Sequence, residues 1–224
     1  MQQAWVPLLL SLKVAGWATA LNLVFGVVAG FGLARWRSGA RDLVDSLLTL
    51  PLVMPPTVLG YYLLVLLGRR GVFGAWLDRL GIQLVFTWQG AVIASMVVAF
   101  PLVLKSARAA FEAVDPQLER AARTLGITEA GIFFRVTLPL AARGILAGTL
   151  LAFARALGEF GATLMIAGNL PGRTQTLSVA VYAAVQAGDD ATANFLVLVT
   201  SVTCVVILVL AGRLVPQHSL LTSR

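Results

Sequence analysis

Five stretches of the chain are apolar for long enough to cross the ~30 Å hydrocarbon core of a bilayer, which takes about 20 residues of helix. They are residues 14–33, 47–67, 85–104, 144–167 and 195–211. The first is entered by Lys13 and carries Asn22. The second has no charge but is interrupted by Pro51, Pro55 and Pro56, whose missing backbone donors predict a kink or break. The third is also uncharged, with Pro101 near its end, and the fourth contains Arg155 and Glu159. The fifth is 17 residues long, extended by Ala193 and Asn194. "TLSVAVYAAV" (176–185) is helical in pattern but too short to span. The prediction is an all-α fold, a polytopic transmembrane helical bundle of about five spans with six possible, forming a single membrane domain over 1–224.

One polar stretch interrupts the pattern. "RAARTLGITEAGIFFRVTLPLAARG" (120–144) is charged and helix-forming, yet oily runs flank it. Upstream, Asp115-Pro116 reads as an N-cap followed by proline at the first helical position. Leu118, Ala121, Ala122 and Leu125 then fall at i, i+3, i+4 and i+7 on one apolar face. Gln117, Glu119, Arg120 and Arg123 face elsewhere. Gly126 stands where a left-handed C-terminal residue belongs. Thr128 is placed to cap a second short turn carrying Ile132, Phe133 and Phe134, before Leu138-Pro139 opens the next span. Residues 115–139 thus read as a helix–turn–helix hairpin. From periodicity alone, an amphipathic loop on the membrane surface fits equally well.

Composition agrees with a bilayer as the main solvent. Of the residues, 58% are hydrophobic and 12% charged, and the mean hydropathy is +0.88. The single cysteine, Cys204, excludes a disulfide framework, and the single histidine, His218, excludes a multi-histidine metal site. "MQQAWVP" lacks the basic region of a secretory signal, and the apolar run after it is too long for one. No convincing internal repeat is visible, which disfavours an inverted-repeat secondary carrier.

A net charge of +7 invites a nucleic-acid or anionic-substrate reading. Its distribution argues for topology instead. One side of the membrane receives Arg35, Arg37, Arg41, Lys105, Arg108, Arg120, Arg123, Arg135, Arg143, Arg213 and Arg224, and the other only Arg69, Arg70, Arg79 and Arg173. By the positive-inside rule the hairpin and C-terminus are cytoplasmic and the N-terminus is outside. Nucleic acid is not needed to explain the charge.

The hairpin resembles the EAA motif of bacterial ABC-importer permeases: a pair of alanines, three residues, a glycine, nine residues, then aliphatic-x-Leu-Pro. The matching positions are Ala121-Ala122, Gly126 and Val136-Thr137-Leu138-Pro139. The family's leading glutamate falls on Arg120, with Glu119 one place earlier. "LPLVMPPTVLGYYLLVLLGRRG" (50–71), "FTWQGAVIASMVVAFPLV" (86–103) and "FARALGEFGATLMIAGNLPGRTQTL" (153–177) resemble the molybdate permeases of that family. Relatives importing sulfate, thiosulfate or tungstate share the "ALGEFGA"-like signature. The resemblance implies that Leu118, Glu119, Arg120, Ala121, Ala122, Leu125, Gly126, Leu138 and Pro139 couple the chain to ATPase subunits. It also implies a homodimer with two ATPases and an external oxyanion-binding protein in a bacterial cytoplasmic (inner) membrane. The chain has no G-x-x-x-x-G-K-[ST], and "GNLPGRT" (168–174) lacks its lysine and spacing. No cofactor is therefore expected on this chain, with ATP and Mg on the partner ATPase, and no catalysis of its own, since no nucleophile–base or metal-ligand constellation is visible.

Arg155 lies 12 residues beyond Arg143, about 18 Å up a helix and so near the bilayer centre. There a charge faces a partner or a wet cavity. Glu159 is at i+4, within pairing reach. The two are either a mutually satisfied structural pair or, with Thr57 and Thr163, candidates for the translocation path and gate. Gly158, Gly161 and Ala162 permit close helix approach, and intramolecular packing is expected over a dimer seam. An ion-coupled carrier or channel using Arg155 and Glu159, and a non-transporting scaffold recruiting a partner through the hairpin, are the competing functional readings.

Overall fold

In a computed structural model the described residues, 2–214, are helical throughout with irregular connections. His218 and Arg224 lie outside them. Helix α1 (Gln2–Arg35) is followed by α2 (Ala40–Thr49), a 3-10 turn (Leu50–Leu52), α3 (Pro56–Leu67) and α4 (Val72–Arg79). Then come α5 (Trp88–Glu112), α6 (Pro116–Thr124), α7 (Glu129–Ile132) and a π-helical turn over Phe133–Thr137 that runs into α8 (Leu138–Leu157). Helices α9 (Gly161–Ala167), α10 (Leu177–Gln186) and α11 (Asp190–Leu214) complete the chain. Among the described residues four helical rods are long and apolar enough to cross a membrane, and one bent pair passes the same test together, as a broken span or a re-entrant loop.

Three expected spans change shape. The stretch 14–33 lies inside α1, whose 34 residues give a rod of about 51 Å. Lys13 does not mark its start: the helix continues to Gln2, and Ala4 is buried against Leu177, Ala180 and Leu196 of α10 and α11. The stretch 47–67 is not one helix, because Ala40–Leu52 and Pro56–Leu67 meet at 106°. The prolines explain the break. Pro55 sits in extended backbone (ψ 132°), as a residue preceding proline prefers, and Pro56 opens α3, where its missing N–H costs nothing. The stretch 144–167 is also divided. The rod ends at Leu157, and Gly158–Phe160 separate it from α9.

Helix α5 is the axis of the bundle, with α1 and α8 packed along it. Two Gly-x-x-x-Gly pairs make this approach possible. A Cβ on Gly26 or Gly30 of α1 would fall 2.8 Å from Val103 and 2.9 Å from Ala107. A Cβ on Gly144 or Gly148 of α8 would fall 2.7 Å from Ala110 and 2.3 Å from Ser106. Without a hydrophobic drive between helices in lipid, such close backbone contact supplies the packing that holds a bundle together. The sequence reading passed over both pairs, although the Gly-x-x-x-Gly spacing was visible.

At one end of this core, α3 crosses α9: Gly60 abuts Ala162 and Met165, and Gly161 abuts Pro56 and Thr57. Gly161 and Ala162 thus serve intramolecular packing, whereas Gly158 faces almost open space. At the opposite end α2 is tied to α5 by charge. Asp45 accepts from Lys105 (2.5 Å) and forms an ion pair with Arg108 (2.9 Å), while Glu112 takes Arg108 and Arg41.

Candidate functional site

The connection between α5 and α8 folds as the sequence pattern predicts. The Asp115 carboxylate accepts from Gln117 N–H (2.8 Å) and caps α6. Gly126 has φ +78°. Gly126 N–H donates to Arg123 C=O and Ile127 N–H to Ala122 C=O, the two bonds of a Schellman C-cap. The Thr128 hydroxyl accepts from Gly131 N–H and starts α7. Across the turn, Arg123 and Glu129 form a two-bond ion pair (2.5 and 2.9 Å).

The orientation of α6 differs from the amphipathic expectation. Of the four apolar positions only Ala122 is buried, while Leu118, Ala121 and Leu125 are exposed, Leu125 at 80%. The buried polar residue is Glu119, expected to face elsewhere and here 3% exposed. Its carboxylate accepts from both terminal nitrogens of Arg35, the last residue of α1, one of them at 2.8 Å, and from the Thr137 hydroxyl at 2.7 Å. The Arg35 guanidinium and the Thr137 hydroxyl outweigh burial and hold its carboxyl below the usual glutamate range. Arg120, at the family's glutamate position, is exposed. Leu138 is half-buried at the start of α8 and Pro139 is exposed. Beneath them Phe31 of α1 meets Phe111 of α5 (5.2 Å between ring centres) and Phe133 of the π-helical turn (4.8 Å), both edge-on, the favoured aromatic geometry. Arg35 and Thr137 were not foreseen as parts of this site. As a sequence position Arg35 signals only topology, and its pairing with Glu119 spans 84 positions.

The charges of the fourth stretch also meet. Arg155 donates to Glu159 at 2.8 Å, and the other carboxylate oxygen of Glu159 accepts from Ala162 N–H at 2.8 Å, capping α9. The Glu159 side chain is 1% exposed and that of Arg155 is 35% exposed. Thr57 is exposed beside Gly161. Thr163 is enclosed, its hydroxyl without a protein partner. Arg155, Glu159 and Thr57 therefore gather around the break between α8 and α9, with Thr163 inside the packing behind them. Among the described residues no group of three or more His, Cys, Asp or Glu is placed to hold a metal ion.

The bundle thus carries a capped polar hairpin between two of its long helices. Residues 22–218 match the family described as "Binding-protein-dependent transport system inner membrane component". The chain belongs to that family. It is 45% identical over 208 residues to the molybdenum transport system permease protein ModB of Escherichia coli (strain K12), covering 92% of this chain and 91% of that one. It is 42% identical over 187 residues to the putative molybdenum transport system permease protein YvgM of Bacillus subtilis (strain 168), covering 83% and 82%. The sulfate transport system permease protein CysT of E. coli (strain K12) is more distant, 36% identical over 172 residues that cover 77% of this chain and 62% of that one. Among solved structures, the fold matches a bacterial ABC transporter that imports the polysaccharide alginate (TM-score 0.78, 16% identity, 98% and 81% covered). It also matches the inward-facing MetNI methionine ABC transporter (TM-score 0.77, 18% identity, 96% and 95% covered).

Proposed function

We propose that the chain is the permease subunit of an ABC importer for molybdate, working as a homodimer with two ATPase subunits and an external binding protein. The observation that carries this reading is the hairpin. It is stiffened by its own caps and ion pair and fastened to α1 by Glu119, yet it leaves Leu118, Ala121 and Leu125 exposed on its outer side. Such a surface suits docking into a groove of a soluble motor. The similarity to molybdenum permeases, closer than that to the sulfate permease, supports the cargo. The hairpin end, rich in Arg and Lys, lies in the cytoplasm, and the N-terminus of α1 lies outside.

In this mechanism ATP and Mg bind the partner, whose closure draws the two hairpins together. Glu119 and the Phe31–Phe111–Phe133 cluster carry that movement into α1 and α5, shifting the population between inward-open and outward-open states. Arg155, beside the break after α8, meets the dianion transiently, and Glu159 tempers its attraction so that the ion leaves.

Purification of the tagged chain from its native membranes in mild detergent tests the reading. A stoichiometric P-loop ATPase and ATP-dependent uptake of radiolabelled molybdate in preference to sulfate are expected. A homo-oligomer without ATPase that still moves ions in liposomes would overturn it in favour of a self-sufficient carrier.

A further inference from the structure

At the end of the bundle opposite the hairpin, a cavity of about 430 Å³ opens between α1, the start of α5 and the loop before α10. Lys13, Trp88, Thr87, Gln89 and Arg173 line it, and among the described residues no acidic one does. Lys13 is 22 positions before Arg35 on the same helix, about 33 Å away along the axis, so the cavity sits one hydrocarbon thickness from the hairpin side. Its two cations are exposed, and among the described residues neither has an ion-pair or hydrogen-bond partner. The Lys13 ammonium is held 3.6 Å above the Trp88 ring, a contact that positions it without neutralising it. The third contributor is the N-terminus of α5, 25 residues long. Its cap, Thr87, accepts from Gly90 N–H with its side chain, and the earlier N–H groups of the first turn, at Trp88 and Gln89, have no partner within the helix.

We infer that this cavity is an outer loading site where a tetrahedral divalent oxyanion pauses between the binding protein and the membrane path. The inference rests on the importer reading above. Two positive side chains and a helix N-terminus, with no carboxylate to compete, match a compact dianion, and the cavity's openness suits a site that releases its ion. The same chemistry would accept a phosphate headgroup of a lipid or a carboxylate of the docked binding protein, and the experiment separates these sources.

The transporter, with its ATPase, is reconstituted in vesicles of neutral phosphatidylcholine and, separately, of anionic lipid, and supplied with molybdate-loaded binding protein. Lys13→Gln and Arg173→Gln should each lower molybdate uptake roughly tenfold, as losing one of two nearby charges predicts. Binding-protein-stimulated ATP hydrolysis should hold, the loss should be equal in both lipids, and Lys13→Arg should recover most of the uptake. Unchanged uptake would overturn the site. So would a parallel loss of stimulated hydrolysis, which marks a docking carboxylate, or a loss confined to anionic vesicles, which marks a lipid headgroup. A readout independent of transport is Trp88 emission, taken as the difference between wild type and Trp88→Phe, as molybdate is added to the solubilised complex without binding protein. A saturable change absent in Lys13→Gln is expected, and no change overturns the site even if uptake is normal. Should wild type import no oxyanion while Trp88 still reports binding, the importer reading fails and the cavity's anion affinity stands.

Discussion

Arg35, the last residue of α1, and Glu119, on the first helix of the hairpin, are joined by a two-pronged ion pair across 84 positions of sequence. The Thr137 hydroxyl adds a third bond from the π-helical turn that starts α8. One buried carboxylate thus connects three segments that the loops alone would leave free to slide.

The first prediction concerns that carboxylate. Glu119→Gln keeps the shape and the Thr137 contact but removes the charge that Arg35 meets, and should cost about 1–3 kcal/mol, the usual worth of a charged hydrogen bond. Because the folded pKa of Glu119 is lowered, its contribution is fully present above the unfolded value of about 4.3 and is lost as pH falls through the lower folded value. Thermal unfolding in detergent should therefore show a gap between wild type and Glu119→Gln that is constant from neutral pH down to about 5 and closes below about 4. A gap that instead narrows between pH 6 and 8 would assign the effect to another group. At neutral pH, ATP hydrolysis in the variant should persist while uptake per ATP falls.

A second prediction concerns the close helix contacts. Gly148→Ala places a methyl group 2.3 Å from the Ser106 Cβ and should destabilise by about 1–3 kcal/mol, the cost of overpacking. Gly30→Ala, at 2.9 Å from Ala107 and 3.0 Å from a backbone nitrogen, should behave similarly. Gly16→Ala in the same helix as Gly30 meets nothing within 4 Å and serves as the control. Melting of the purified variants ranks them. Equal melting for Gly16→Ala and Gly148→Ala would mean that α5 and α8 do not pack as closely as described.

The sequence is legible where interacting partners lie close together in the chain. Residues whose partners are near in the chain could be read directly: Asp115, Gly126 and Thr128 each bond to backbone within three residues or adopt a local conformation, and each is found in its expected role. Arg155 and Glu159, four apart, pair as their spacing allowed. Long-range partners were not legible in this way. Nothing local announces that Glu119 turns inward, because amphipathic periodicity treats every charge as solvent-facing and misses a carboxylate that an arginine from α1 neutralises. The prolines at 51, 55 and 56 announced a break but not its 106° angle, nor that Asp45 on the near side would pair with Lys105 and Arg108, about 60 positions away in sequence. Apolar counting likewise ran through Gly158–Phe160 because a buried Glu159 can cap the next helix as readily as it can interrupt a span.

A third prediction tests the hairpin's exposed side. Gly126 has φ +78°, with open space within 4 Å of where a Cβ would go, so the Cβ of Gly126→Leu meets no neighbour and the backbone carries a left-handed strain of about 1–2 kcal/mol. The subunit should still insert and purify. The bulk beside the already exposed Leu125 should spoil contact with an ATPase, so co-purification and uptake should fall by an order of magnitude or more. Retained ATPase with normal uptake would count against this surface as the docking site.

The last prediction uses the asymmetry between Arg155 and Glu159. Glu159 is buried and has two partners, one of them the Ala162 amide that begins α9, whereas Arg155 is partly exposed and holds only Glu159. Removing each side chain should therefore do different things. Glu159→Ala uncaps α9, which alone costs about 0.5–2 kcal/mol, and leaves Arg155 unpaired at membrane depth, where such a charge is expensive. It should melt well below wild type. Arg155→Gln leaves the Glu159–Ala162 bond in place but takes the counter-charge from a carboxylate that is 1% exposed, so it too should melt below wild type. If Arg155 meets the passing dianion, Arg155→Gln should also slow molybdate uptake several-fold while ATP hydrolysis continues, and Arg155→Lys should restore part of it. Were the pair purely structural, uptake in both variants would instead track melting temperature. Arg155→Gln would then lose uptake only in proportion to its loss of folded protein, and Thr57, exposed beside Gly161 across the same break, would be the next residue to substitute.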